Sequence, residues 1–513
     1  MRMLVAVISM AIAGPAFAAS PDPAILAGVI DAHLTGKLKA NGVTPAPVAD
    51  DAEYLRRVYL DLTGRIPRSN DVRQFLIDTD PNKRRKLIDD LLETPQFASH
   101  FANVWRAFLI PETIASGEAR IFQPGFEAWL RGQFRENRPY DQTVIELLTP
   151  PISSDPKLPT ATMRKPGDAS PMAFIAVKEA KPENLAAAVT RCFLGLQLEC
   201  AQCHDHPFST WTRDQFWNQA AFFAGIEKHG NGLFAPISEA TDRRELKVAL
   251  TNRTAPALYL DDATPDWKSG KPARLLLAEW IASKQNPFFA KATVNRLWGH
   301  FFGLGIVEPV DDFHDQNPPS HPALLADLAK AFADANFDLQ YLVRAICSTQ
   351  AYQRTSRQTE PNQANPRLFS RMTVKGLTGE QFYDSLVLAT GSRESERNPA
   401  RDRFLTQFAL QGKPSEPATS VPQALALMNG TFINDATTLN KSPTLIAIRD
   451  LPGLDTTGQV EALFLVALSR KPTEKERTRL VGFIDDAGTG QKPDRLADAF
   501  WILLNLAEFR LNH

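Results

Sequence analysis

Asn286-Pro287, followed after six residues by Val294-Asn295-Arg296-Leu297-Trp298-Gly299-His300-Phe301-Phe302-Gly303, sets the fold class of this chain. Val294, Leu297, Trp298, Phe301 and Phe302 recur at i, i+3, i+4, i+7 and i+8, the stripe that one face of an α-helix buries. Asn286-Pro287 supplies the start, because an asparagine side chain accepts from the free N–H groups of a first turn and a proline there has no donor to lose. The opposite face is unusual. Arg296, Gly299, His300 and Gly303 share it, and glycine inside a helix costs about 1 kcal/mol relative to alanine. Something therefore approaches that face closely, either a flat ligand or another backbone.

The same 3.6-residue period runs outward in both directions, as in Leu87, Leu91, Leu92 and Leu324, Leu325, Leu328. Ser69-Asn70-Asp71 opens a helix to about Asp78, Thr212-Arg213-Asp214-Gln215 has the spacing of a capping box, and Pro182 suits a first turn before Leu185, Val189 and Cys192. Strand-like alternation is scarce outside Leu246 to Leu260. The chain has 513 residues, too many for one ordinary core, and its 43% hydrophobic and 22% charged content is globular. The expected fold is mainly α, with two helical domains, 19–254 and 255–513, and a small β-containing connecting region. Proline- and glycine-rich loops fall at Thr149–Pro171, Gly225–Pro272 and Gly412–Ser420. No repeat of 20 to 50 residues is present, which excludes a solenoid.

Residues 1–18 read as a signal peptide: Arg2, the apolar run Leu4 to Ala13, and the small-x-small site Ala16-Phe17-Ala18. The mature protein is expected in the periplasm or another extracytoplasmic space, with no transmembrane segment. The net charge of −1 lacks the basic excess that phosphate neutralisation needs, so nucleic acid is not an expected partner.

Cys200-Ala201-Gln202-Cys203-His204 carries the sharpest chemistry. Two cysteines three apart with a histidine directly behind them are the attachment pattern of haem c, the sulfurs forming thioethers and the histidine ligating iron. Export agrees with that reading. Zinc or another transition metal on Cys200, Cys203, His204 and His206 is an alternative, as is a plain disulfide. His206 is too close to His204 to reach the other face of the same haem. It is a hydrogen-bonding neighbour, a ligand in the non-haem case, or a turn histidine before Pro207. Phe208, Trp211, Phe216, Trp217, Phe222 and Phe223 suit a core or the wall of a planar cofactor.

Cys192 and Cys347 lie on apolar helical stripes and read as buried thiols, or as a disulfide with each other. If haem is present, His300 is the first distal-ligand candidate and Arg296 a partner for a propionate. A tight helix crossing explains the same residues. His314 and His321 are further ligand candidates, and Asp311, Asp312, His314 and Asp315 could hold a divalent cation. No nucleophile elbow, P-loop or dinucleotide fingerprint is present.

Tyr54-Leu55-Arg56-Arg57-Val58-Tyr59-Leu60-Asp61-Leu62-Thr63-Gly64-Arg65-Ile66-Pro67 and Cys200 to Phe208 together resemble the planctomycete secreted cytochrome-like domain. Val294 to Gly303, Asn317-Pro318-Pro319-Ser320-His321-Pro322 and Pro422 to Gly430 resemble the domain that usually follows it. The resemblance implies export and a cytochrome-like identity, but no established activity. The expected function is thus an exported c-type haem electron carrier or redox enzyme component with extracytoplasmic redox partners. The alternatives are a non-haem metalloprotein and a secreted binding or assembly protein.

Overall fold

The computed structural model describes residues 21–163, 165, 167–248, 251–392, 399–408, 430–488 and 490–513. The leader expected at 1–18, the Gly412–Ser420 loop and the stretch from Pro422 to Asn429 lie outside the described residues. Within them the fold is mainly α, with three two-stranded antiparallel sheets. No described helix is long and apolar enough to cross a membrane.

Local sequence accounts for the helix ends. Asn286 Oδ1 accepts from the N–H groups of Phe288 and Phe289 and starts the helix Phe289–Phe302, and Gly303 at φ +78° ends it. Both halves of the capping box form at Thr212 and Gln215, and helices begin at Ser69 and Pro182. The second hairpin, Glu245–Lys247 with Thr254–Pro256, falls in the stretch whose alternation suggests strands. The first, Ile226–Lys228 with Ile237–Glu239, has strands of three residues, too short to show a period.

Two cores organise the molecule. The larger gathers buried side chains mostly from Leu26 to Met372, and the smaller is built mostly from Leu377 to Phe509. The helix Asp51–Thr63 is the strut between them: Leu55, Val58 and Leu62 enter the larger core, Leu60 the smaller. A helix buried on all sides must also bury its charges, and Arg56, Arg57 and Asp61 all make hydrogen bonds there. Arg56 donates to the carbonyls of Ala467 (3.1 Å) and Phe509 (2.9 Å). Arg57 donates to those of Tyr352 (2.7 Å), Arg354 (2.9 Å) and His513 (3.1 Å), and to Glu53 (2.7 Å). Asp61 accepts from Lys375 (2.6 Å), Tyr352 (2.7 Å) and Asn512 (2.7 Å). Lys375 also donates to the carbonyls of His300 and Phe301, closing the end of the Phe289–Phe302 helix. Lys375–Gly376 in turn pairs with Leu511–Asn512. The Tyr54–Pro67 motif is therefore a clasp that holds the chain's last residues against its first helices.

Gly64 ends the strut at φ +70°, and a Cβ there would lie 2.4 Å from His100 Nδ1. Gly64→Ala is expected to cost about 2–4 kcal/mol, the sum of left-handed strain and overpacking. An unchanged urea midpoint would mean that His100 yields without resistance.

Candidate functional site

The helix Pro182–Val189 continues through the turn Thr190–Leu194 and ends at Gly195, φ +69°. The chain then tightens into the 3-10 turn Leu198–Gln202, which carries Cys200, and Cys203 follows directly. Leu198 and Ala201 are buried and anchor this turn, so the intervening positions face outward. Cys200, Cys203 and His204 are exposed, and all four cysteines of the chain are free thiols. Cys192 and Cys347 are buried, as their apolar stripes suggest, but form no disulfide.

His204 Nδ1 stands 2.7 Å from the Asp205 carbonyl oxygen. A carbonyl has no hydrogen to give, so Nδ1 is the donor, and in the neutral ring the lone pair is then on Nε2. That is the tautomer an axial imidazole requires. His206 Nδ1 accepts from the Phe208 N–H (3.2 Å) and serves the turn. Beyond it Phe208 is 59% exposed, an uncovered aromatic surface next to the motif, whereas Phe216, Trp217, Phe222 and Phe223 are buried in the core.

The acidic loop packs beside this segment. Phe313 N–H donates to the Gly195 carbonyl (2.9 Å), and a Cβ on Gly195 would lie 2.6 Å from the Phe313 ring, which requires glycine there. Asp311 accepts from Arg191 Nε (2.7 Å) and Gln197 Nε2 (3.3 Å). Burial pushes the Glu199 carboxyl above its ordinary range, partly offset by Arg191. Asp311 is thus committed to an ion pair, and His314 Nδ1 accepts from the Gln316 N–H. Among the described residues no three His, Cys, Asp or Glu side chains stand together as a metal-binding group. The four-ligand set Cys200, Cys203, His204 and His206 and the Asp311–Asp315 cluster are therefore not assembled.

His300 and Arg296 are placed elsewhere. His300 Nε2 donates to the Asp61 carbonyl (2.9 Å), and its ring packs on His100, Phe101 and Phe301. Burial, and then the Lys375 ammonium, hold its pKa below the ordinary value. Arg296 lies over the Phe108 ring at 4.2 Å. What approaches the glycine face of that helix is the chain's own following turn, by side chain and backbone together: a Cβ on Gly299 would lie 3.0 Å from Val310 Cγ1 and 3.6 Å from the Gly305 nitrogen. The structure thus does not bring His300 to the Cys200–His204 segment, because it belongs to the clasp.

His321 is also interior, its Nδ1 3.1 Å from Ser320 Oγ and its ring against Phe369. Burial, then Lys37, His33 and Arg367, lower its pKa from 6.5 to about 4. The unfolded chain binds this proton first, so stability is full above pH 6.5 and falls between 6.5 and 4. His321→Gln is expected to flatten the decline of the urea midpoint over that window. An identical slope in both proteins would contradict the assignment.

Two contributors to the site are not evident in the sequence. Trp217 Nε1 donates to the Gln202 carbonyl (3.1 Å), and Asp205 Oδ1 accepts from the Arg213 N–H (2.8 Å). Asp205 directly follows the motif, but it lies seven residues ahead of Thr212, so no local signal ties it to that helix start.

Residues 29–228 match the family model PSCyt2, a protein of unknown function (DUF1549), and residues 273–416 match PSD1, a protein of unknown function (DUF1553). No curated protein and no solved structure matches the chain.

Proposed function

From a chain that carries the paired planctomycete domains PSCyt2 and PSD1, we propose a c-type electron-transfer protein with a single haem joined through Cys200 and Cys203. The observation that carries the reading is the state of the Cys200–His204 segment: two exposed free thiols, and a histidine whose Nε2 is left as the open donor. The residues fit the group, since the thioethers need unpaired, reachable sulfurs and the iron needs a neutral imidazole nitrogen. When bound, haem supplies one-electron chemistry. The chain's own residues do the rest. Leu198 and Ala201 fix the turn from below, Asp205 holds the His204 proton, and the exposed Phe208 offers apolar surface beside the motif. A group at so open a position exchanges electrons with partner proteins rather than enclosing a substrate. Extracytoplasmic redox proteins are the partners this implies, and the leader-like sequence at 1–18 provides the route.

The test is a redox titration of the full chain, produced with its leader in a host that has cytochrome c maturation. The expected result is a pyridine haemochrome spectrum at one haem per chain and a reversible one-electron transition. A colourless folded protein would overturn the reading, and metal bound to that protein would support the transition-metal alternative at the same residues.

A further inference from the structure

An exposed histidine has no reason to keep one tautomer unless the loop around it is fixed. The loop carrying His204 is mounted at three points, two on the helix Arg213–Ala221 and one on Trp211 just before it. Trp217 Nε1 donates to the Gln202 carbonyl (3.1 Å), the His206 N–H donates to the Trp211 carbonyl (2.8 Å), and Asp205 Oδ1 accepts from the Arg213 N–H (2.8 Å). The last contact has a clear division of labour with the capping box. Thr212 Oγ1 takes the Gln215 N–H and Gln215 Oε1 takes the Thr212 N–H, which leaves the Arg213 donor for Asp205. A carboxylate is favoured there by the helix dipole as well as by the free donor.

Asp205 therefore works at both ends. Its side chain is pinned to the helix, and its carbonyl accepts from His204 Nδ1 at 2.7 Å. A neutral imidazole free in water prefers its proton on Nε2, which would block the nitrogen that a metal needs. We propose that Asp205 is the positioning residue of this site: its pinned carboxylate sets the peptide whose carbonyl keeps the His204 proton on Nδ1 and presents Nε2 outward. The proposal rests on the reading of His204 as an axial ligand, but its consequence is visible without haem.

The experiment uses the full chain made without haem maturation, labelled with ¹⁵N-histidine and observed at about pH 8, where imidazoles are neutral. The chain has nine histidines, and the loss of one signal in His204→Gln assigns the resonance. The expected wild-type spectrum shows His204 as the single Nδ1–H tautomer. Asp205→Ala should shift it to an averaged mixture, and Asp205→Asn, whose amide oxygen still accepts from the Arg213 N–H, should restore it. Thr212→Ala weakens the same helix end without touching Asp205 and should leave the tautomer unchanged. An Nε2–H tautomer in the wild type, or no change in Asp205→Ala, would overturn the proposal. Matured protein that contains no haem but keeps the fixed tautomer would sink the haem reading and leave the positioning role standing.

Discussion

Replacing Asp61 with alanine is expected to lower the stability of the protein by about 3–5 kcal/mol, the usual cost of stripping one partner from a buried ion pair. Asp61 is 1% exposed and Lys375 6%, so the stranded ammonium would have no water to turn to. The substitution also orphans the Tyr352 hydroxyl and the Asn512 amide, each 2.7 Å from the lost carboxylate. The double variant Asp61→Ala/Lys375→Met removes the unpaired charge and should recover part of the loss. Recovery cannot be complete, because Lys375 also closes the end of the Phe289–Phe302 helix through the carbonyls of His300 and Phe301. Urea unfolding followed by tryptophan fluorescence reads both variants. A loss under about 1 kcal/mol in the single variant would mean that the clasp is not what joins the two cores.

The second large effect belongs to the exposed sulfurs. In the matured protein, Cys203→Ser is expected to leave haem held by one thioether, with the haemochrome band shifted to longer wavelength and a reduced yield of loaded chains. Cys200→Ser together with Cys203→Ser should abolish covalent attachment altogether, so that acidified organic solvent extracts any colour. Neither change should alter the unfolding free energy of the haem-free protein by more than about 0.5 kcal/mol, because both side chains are exposed. Haem that stays attached in the double variant would remove the motif from its assigned role.

How much of this was legible before folding differs by element. The helix Phe289–Phe302 could be read from its stripe and its asparagine start, since both signals are local. The reason for Gly299 could not, because what crowds it is the Val310 side chain and the Gly305 backbone of the following turn, and a flat ligand would demand the same small residue. The Tyr54–Pro67 motif shows the limit more sharply. Arg56, Arg57 and Asp61 sit on a helix with no polar face, which says that charges are buried, but nothing local names partners that lie several hundred residues away at Lys375, Asn512 and His513. His300 illustrates the same limit from the ligand side: its spacing on the helix face was readable, and its contact with Asp61 was not. At the Cys200–His204 segment the residue types and spacing that suggest haem were legible. The mount that orients it was not, since Asp205 acts through an N–H group that exists as a free donor only once the Arg213–Ala221 helix has formed.

The central claim is covalent haem on Cys200 and Cys203, and the most direct measurement is the intact mass of the matured chain under denaturing conditions. The expected result is a single species heavier than the polypeptide by the mass of one haem, and a peptide spanning Cys200 to His204 that carries the whole increment. A chain at the mass of the bare polypeptide, from a host that loads a control cytochrome in the same cells, would contradict it.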